Sequence, residues 1–200
     1  LTWDADADAD ARDFFVNQAT AEGIGFGLAD EAGRVLGGQG SFAIVTATLT
    51  AANQNAWIEH IRARIAAKWP ALSIAVIRPS DGLRDKALTE TKAILRAHPD
   101  VKLVMVIAAA AVPGAAEAVK QESSDAKVIG LSVPSLCRAY VHEGIVPTIL
   151  LWNTGDLGYL TVHAAEALAR GTLSAGSSSF TAGRLGALEV RGDNVLLGVA

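Results

Sequence analysis

Four aspartates alternate with alanine between residues 4 and 10, and this spacing could place carboxylates around a cation. A calcium loop of the EF-hand type starts in this way, but it also needs a glycine at its sharp turn and a bidentate glutamate at its end. Ala9 stands at the glycine position and Phe15 at the glutamate position. We therefore expect no calcium site, and we predict a solvated helix entrance with Asp13 near the positive end of the helix dipole.

The chain has one cysteine and four histidines as further nucleophiles or metal ligands. Cys137 is predicted in the first turn of a helix, where a thiolate is favoured, but no neighbouring base is apparent. The histidines at positions 60, 98, 142 and 163 do not repeat at a metal-ligand spacing. We expect a small core cysteine, no metal ion, no cofactor and no catalytic residue.

Three glycines, Gly23, Gly25 and Gly27, alternate with apolar residues as in the phosphate loop of dinucleotide-binding proteins. In those proteins the loop follows a strand, whereas this segment follows a helical stretch. We expect these glycines to allow tight helix packing.

Composition limits the partners and surroundings of the chain. Half of the 200 residues are apolar, which suffices for one good core or two small ones. The net charge is -4 with both signs mixed, so no basic face indicates a nucleic-acid partner. The longest apolar stretch, residues 103–113, is too short to cross a bilayer. We expect neither nucleic-acid binding nor an integral membrane segment.

Strand-like apolar runs alternate with amphipathic helical runs through most of the chain. In the first long helix, residues 50–68, the inner face carries Trp57, Ile61 and Ile65, and Thr50 is the expected N-cap. The alternation predicts an α/β fold, in which right-handed βαβ units build a parallel sheet with flanking helices. The predicted strands are residues 42–45, 72–77, 101–107, 127–131 and 148–152, and the other predicted helices are residues 83–97, 113–120, 134–143 and 157–170.

The pattern changes after residue 171. Residues 174–179 form a link rich in glycine and serine. Residues 188–190 and 195–197, joined by Gly-Asp-Asn, predict an antiparallel β-hairpin.

Five apolar runs end in a small or polar residue just before a helical pattern begins. In open α/β sheets, ligands bind outside the carboxyl ends of the strands. The sequence therefore predicts a binding cleft at one edge of a parallel sheet. The residues at these ends are Asp4, residues 46–53, residues 108–110, Ser132 and Asn153.

Eight short motifs follow one another along the chain: Thr2-Trp3-Asp4, Phe15-Val16-Asn17-Gln18, Thr50-Ala51-Ala52-Asn53-Gln54-Asn55-Ala56-Trp57, His98-Pro99-Asp100, Val112-Pro113-Gly114-Ala115-Ala116, Val128-Ile129-Gly130-Leu131-Ser132, Leu151-Trp152-Asn153 and Asp156-Leu157-Gly158-Tyr159. In order and spacing they resemble the type I periplasmic solute-binding proteins of ABC transporters. Within that family they look most like the group that binds rhamnose-type sugars and autoinducer 2. The resemblance covers essentially all 200 residues.

The resemblance implies two Rossmann-like lobes joined by three crossing strands, with a sugar clamped between them. It assigns residues 1–145 to the first hinge and the carboxyl-terminal lobe, residues 146–178 to a strand and helix of the amino-terminal lobe, and residues 179–200 to the return segment. Most of the amino-terminal lobe and the signal sequence would lie outside the chain. The strand at residues 148–152 would then lack sheet partners within it.

Carried over residue by residue, the resemblance also implies a set of ligand-binding positions. Asp4, Asn53 and Gln54 would supply paired hydrogen-bonding groups for a sugar, and Trp152 an apolar face on which it can stack. Helix capping by the two amides and core filling by the indole are equally open alternatives. The full set is Asp4, Asn53, Gln54, Ala109, Ser132 and Trp152.

Two departures from the family pattern bear on the ligand. Ile107 and the alanines 108–111 stand where the family often has a proline before its alanine contact. Asn53 stands where the autoinducer 2 binder has an acid. Because these positions then carry only apolar side chains and a neutral amide in place of a carboxylate, a rhamnose-like deoxysugar is the expected ligand.

The resemblance implies a non-catalytic protein of the periplasm or cell exterior, either free or tethered to the membrane as a lipoprotein, that delivers a monosaccharide to an ABC transporter permease. One alternative is the ligand-sensing domain of a sugar-responsive transcriptional repressor, which an upstream helix-turn-helix would indicate. An autoinducer 2-binding protein and an α/β enzyme are further alternatives.

Overall fold

The computed structural model describes residues 1–17 and 19–197. Gln18 of the second motif and residues 198–200 of the predicted return segment lie outside the described residues. The strands are β1 (Thr2–Trp3), β2 (Phe15–Asn17), β3 (Gln39–Thr46), β4 (Ala71–Pro79), β5 (Leu103–Val106), β6 (Lys127–Leu131), β7 (Thr148–Leu150), β8 (Ser179–Thr181), β9 (Ala187–Arg191) and β10 (Val195–Leu197). The helices are α1 (Ala21–Val35), α2 (Ala52–Lys68), α3 (Arg84–Ala97), α4 (Val112–Gln121), α5 (Pro134–His142) and α6 (Thr154–Ala169).

The chain divides into two compact units. The larger unit consists of residues 21–151, and the smaller unit consists of residues 1–20 and 152–200. The sequence assigned residues 1–145 to one lobe, so the first twenty residues fall on the other side of the observed division. The assignment of segments to the lobes of a whole protein stays a prediction.

A parallel sheet in the order β4-β3-β5-β6-β7 forms the centre of the larger unit. Ala43, Val45 and Val104 belong to one buried cluster with residues of α3 and α4. Their neighbours Phe42 and Ile44 are also fully buried, although successive strand residues point to opposite sides. Both faces of the sheet are therefore covered, as expected for a parallel sheet, and the predicted α/β class with flanking helices is confirmed.

The last strand of this sheet corrects one prediction. The segment at residues 148–152 was expected to lack sheet partners, but β7 pairs in parallel with β6, with Thr148 opposite Ile129 and Leu150 opposite Leu131. The apolar strand residues needed a partner, and the neighbouring strand supplies it within the same unit.

The smaller unit is built on a second sheet, in the order β1-β2-β10-β9-β8. Here β1, β2 and β10 run parallel, and β9 is antiparallel to both β10 and β8. The predicted hairpin is confirmed as β9 and β10. Phe14, Val16, Leu160 and Leu196 form the centre of its core and are fully buried.

Two predicted helix starts are wrong. The aspartate-rich segment forms only a 3₁₀ turn at Ala9–Ala11 and then leads into strand β2 and not into an α-helix, because Phe14, Phe15 and Val16 bury their side chains. Helix α2 begins at Ala52, and its N-cap is Ala51, which makes no side-chain capping bond. The hydroxyl of Thr50 instead lies 3.4 Å from that of Thr48.

The predicted use of the glycine segment is confirmed at Gly25, in the contact between α1 and α2, although the segment lies within α1 after strand β2 and does not follow a helical stretch. A Cβ atom there would lie 2.5 Å from the Cβ of His60 and 2.8 Å from the carbonyl oxygen of Trp57. Nearby, Asp30 of α1 accepts hydrogen bonds from Arg64 and Lys68 of α2 and from the Trp69 indole. The hydrogen bonds from Arg64 are the main reason why the pKa of Asp30 lies well below its usual range.

We predict that Gly25→Ala lowers the free energy of unfolding by about 1–3 kcal/mol, because its methyl group would overlap the backbone of α2. Gly27→Ala is the matched control in the same helix, since its Cβ would meet only the tip of Leu150 at 3.0 Å. Its expected change is under about 1 kcal/mol. Urea unfolding followed by circular dichroism measures both, and equal stability of the two variants would contradict the packing described here.

Candidate functional site

Gln54 ties the loop after β3 to the start of α2. Its side-chain carbonyl accepts hydrogen bonds from the hydroxyl of Thr46 and from the backbone N–H of Ala47 at 2.7 Å. Only 8% of Gln54 is exposed. The buried oxygen is therefore committed to the loop, and among the described residues the amide NH₂ group has no partner.

Asn53 precedes Gln54 in the first turn of α2 and is half-buried. Its side-chain oxygen accepts a hydrogen bond of 2.8 Å from the backbone N–H of Gln54. Within the part of the chain that the structure describes, its NH₂ group makes no hydrogen bond. Asn53 therefore offers two donors at the carboxyl end of β3.

Ser132 and Ala109 meet at the carboxyl ends of β6 and β5. The Ser132 hydroxyl donates a hydrogen bond of 2.9 Å to the carbonyl oxygen of Ala109, and its backbone N–H donates to that of Leu150 at 3.2 Å. Ser132 is 3% exposed, whereas Ala109 is exposed. The serine thus joins three strand ends and holds Ala109 at the surface.

Cys137 lies one turn beyond Ser132 and is fully buried. Burial raises the pKa of its thiol, although a hydrogen bond with Ser132 opposes the shift. A buried, protonated thiol is a poor nucleophile. The prediction of a core cysteine is confirmed.

Asp4 lies in the smaller unit, directly after β1. Its backbone adopts a φ of 63°, in the left-handed region, and its N–H donates to the carbonyl oxygen of Val16 at 3.1 Å. Among the described residues, its carboxylate accepts no hydrogen bond and forms no ion pair. Desolvation raises the pKa of Asp4, although the residue keeps an exposed surface. The carboxylate is therefore available as an acceptor.

Asp6 has a structural role that the alternating pattern did not distinguish. It accepts hydrogen bonds from the Thr2 hydroxyl at 2.8 Å and from Arg12 Nε and Nη2 at 2.7 Å. Desolvation would raise the pKa of Asp6, but the hydrogen bonds from Arg12 and Thr2 outweigh it and lower the pKa. Over residues 1–17 and 19–197, no group of three or more histidine, cysteine or acidic side chains is placed to hold a metal ion.

Trp152 and Asn153 follow β7. Trp152 is half-buried and packs against the core of the smaller unit. Asn153 caps α6, since its oxygen accepts the N–H of Asp156 at 3.0 Å, and Asp156 in turn pairs with Arg184. The sequence did not indicate this ion pair, because the two residues lie on segments that only the fold brings together.

One predicted feature of the site is wrong. The five strand ends were expected along one sheet edge, but Asp4 ends β1, which pairs with β2 in the second sheet. Ser132 and Ala109 are in contact, and with Asn53 and Gln54 they follow strands of the first sheet. Binding by Asp4, Asn53, Gln54, Ala109, Ser132 and Trp152 stays a prediction.

Comparison with known proteins shows which family the chain belongs to. A model described as periplasmic binding protein domain matches residues 1–173. A structure described as a sugar ABC transporter from Actinomyces odontolyticus has 31% identity and a TM-score of 0.82, over 98% of this chain and 64% of that one. This chain thus spans about two thirds of the length of the proteins that it matches.

Two further solved structures share the fold. An ABC transporter solute-binding protein from Clostridium phytofermentas, with bound L-rhamnose, has 28% identity and a TM-score of 0.91, over 99% of this chain and 67% of that one. LsrB from Clostridium saccharobutylicum, in complex with AI-2, has 23% identity and a TM-score of 0.88, over 98% of this chain and 68% of that one. The resemblance found in the sequence is confirmed, and the chain belongs to the periplasmic binding protein family, with the type I fold.

Proposed function

We propose that this chain is part of a solute-binding protein that binds a rhamnose-like monosaccharide and delivers it to an ABC transporter permease. The observation that carries the proposal is the match, over 99% of this chain, to a solute-binding protein whose structure contains L-rhamnose. A protein with this role works in the periplasm or at the cell exterior. No helix among the described residues is long and apolar enough to span a membrane.

The polar groups left available at the strand ends suit a sugar. A hydroxyl both donates and accepts, so it pairs well with a carboxylate acceptor and an amide donor. Asp4 offers the acceptor and Asn53 the donors, each within its own unit. Ala109 adds a small exposed apolar group, which is compatible with the methyl group of a deoxysugar.

The same residues favour a deoxysugar over autoinducer 2. Asn53 is neutral where the autoinducer binder has an acid, and the segment 108–111 carries only methyl side chains. Both features lower the polarity of the surface on which a ligand would lie. The match to the AI-2-bound protein, at 23% identity, supports the fold alone.

We propose binding without catalysis. Amide groups orient hydroxyls but provide neither a nucleophile nor a general base near neutral pH. The buried thiol of Cys137 has a raised pKa and is equally unsuited. The sugar is therefore expected to be recovered unchanged after incubation with the protein.

Asp4 provides the first test of this function, in the protein that contains this chain. A hydrogen bond to a charged group contributes about 1.5–3 kcal/mol, so Asp4→Ala should weaken L-rhamnose binding about ten- to over a hundredfold. Asp4→Asn tolerates the left-handed backbone and should weaken it about tenfold.

Isothermal titration calorimetry measures these affinities, and Asp8→Asn is the matched control, since Asp8 is an exposed aspartate of the same segment. Its affinity should equal that of the unmodified protein. Equal losses for the Asp4 and Asp8 variants would contradict a ligand role for Asp4, and no binding of any monosaccharide by the unmodified protein would overturn the proposed function.

Substitution of Ser132 distinguishes a residue that supports the site from one that contacts the ligand. Ser132→Ala removes the buried hydrogen bond to Ala109 and should lower the free energy of unfolding by about 1–2 kcal/mol, together with a weaker affinity for sugar. Ser135→Ala, at an exposed serine in the next helical turn, should change neither quantity. Lost binding at unchanged stability in Ser132→Ala would show that the serine contacts the sugar directly.

A further inference from the structure

The segment that joins β1 to β2 contains one side chain that is almost completely buried. Residues 4–11 and 13 are exposed, whereas the side chain of Arg12 is only 4% exposed. An arginine is almost never buried to this extent unless its charge is paired. The partners of Arg12 therefore show what holds the segment in place.

The guanidinium group of Arg12 connects two separate parts of the smaller unit. Its Nε and Nη2 atoms donate hydrogen bonds of 2.7 Å to the two carboxylate oxygens of Asp6. Its Nη1 atom donates to the carbonyl oxygen of Asp193, in the turn between β9 and β10. The planar fork of an arginine suits such a double contact, which the single ammonium group of a lysine cannot reproduce. Arg12 thus fastens the segment to the β9–β10 turn.

The β9–β10 turn is itself held independently of Arg12. Asp193 and Asn194 both have a φ of 56°, as in the type I′ turns that close β-hairpins. The carbonyl oxygen of Asn194 also accepts a hydrogen bond of 3.1 Å from the backbone N–H of Phe15, the first residue of β2. The turn therefore offers the guanidinium group an acceptor in a fixed position.

Asp4 lies between two anchored points of the backbone. Its N–H donates to a carbonyl oxygen of β2 at 3.1 Å, which continues the pairing of β1 with β2. Two residues further on, Asp6 is held by Arg12 and by the hydroxyl of Thr2 at 2.8 Å. Only Ala5 separates the two anchors. The Cα atom of Asp4 is therefore held in place whichever rotamer its side chain adopts.

We propose that Arg12 is the positioning residue of this segment, which fastens Asp6 to the β9–β10 turn and so holds the backbone at Asp4 where its carboxylate can accept a hydrogen bond from the sugar. The inference rests on the proposed function and adds to it a residue that acts through Asp4 without contact with the ligand. A group that is held before binding loses little conformational freedom when the ligand arrives. Loss of Arg12 should therefore weaken binding, although no group that contacts the sugar is removed.

Hydrogen exchange tests the fastening in the protein that contains this chain, without any sugar. The N–H groups of Ala5, Ala7 and Ala11 make hydrogen bonds within the segment. In Arg12→Ala they should exchange about tenfold faster, because opening of the segment no longer breaks the ion pair. Asp193→Asn is the matched control and should leave exchange unchanged, since the backbone carbonyl of Asp193 is the acceptor. Unchanged exchange in Arg12→Ala would overturn the fastening.

Calorimetric titration of L-rhamnose tests whether Arg12 acts through Asp4. Arg12→Ala should weaken binding about tenfold, and Arg12→Lys, which keeps the charge but not the fork, should weaken it less. The loss caused by Arg12→Ala should disappear in the Asp4→Ala background, since no carboxylate is left to be positioned. Equal losses in the two backgrounds, or no loss in Arg12→Ala, would overturn the positioning role.

Thermal unfolding shows whether each variant is folded before its affinity is compared. If Arg12→Ala does not fold, Arg12→Lys and Asp6→Asn decide the same question, because each weakens the link and retains a polar side chain at its position. Affinities equal to that of the unmodified protein in both would overturn the proposal. If the unmodified protein binds no monosaccharide, the proposed function fails, whereas hydrogen exchange still decides whether Arg12 holds the segment.

Discussion

Backbone hydrogen bonds need new partners where the parallel ladder of the larger unit ends, and this requirement governs the rest of the structure. A buried N–H or C=O without a partner is costly, so polar side chains follow the strands. Gln54 bonds the end of β3, Ser80 donates to the carbonyl of Thr46 at 2.9 Å, and Ser132 bonds the segment after β5. These side chains hold the loops in fixed positions at the edge where α/β proteins bind ligands.

This requirement divides the predicted ligand residues into two kinds. Gln54 and Ser132 are buried and already use their oxygen atoms for the fold. The carboxylate of Asp4 and the amide NH₂ groups of Asn53 and Gln54 have no partners among the described residues. A bound sugar gains most from groups that are in position and not yet paired, since no internal hydrogen bond has to break first. We therefore propose that the paired oxygens of Gln54 and Ser132 support the loops, and that the unpaired groups are the ones available to a ligand.

The sequence predicted helices α2 to α5 and the strands of the larger unit, because apolar runs such as residues 127–131 end at small or polar residues. It did not predict α1 (Ala21–Val35), where glycines alternate with apolar residues. The sequence-based prediction was wrong where a local spacing of polar residues suggested one structure and the burial of neighbouring apolar residues required another. The aspartate spacing suggested a helix entrance, but the apolar residues Phe14 to Val16 form a strand. The prediction that all five strand ends lie along one sheet edge was wrong. Strand order depends on pairing between segments that are distant in sequence, and periodicity along the chain carries no information about it. The supporting bond from Ser132 to Ala109 likewise joins residues 23 positions apart.

A crystal structure of the protein that contains this chain, with bound L-rhamnose, tests most directly whether exposed groups bind while buried groups support. In that structure we expect a carboxylate oxygen of Asp4 to lie about 2.5–2.7 Å from a sugar hydroxyl. We also expect Ser132 still to donate to Ala109 and Gln54 still to accept from Ala47. A bound sugar that leaves Asp4 in bulk solvent, or that takes the Gln54 and Ser132 oxygens from the loops, would contradict this division of roles.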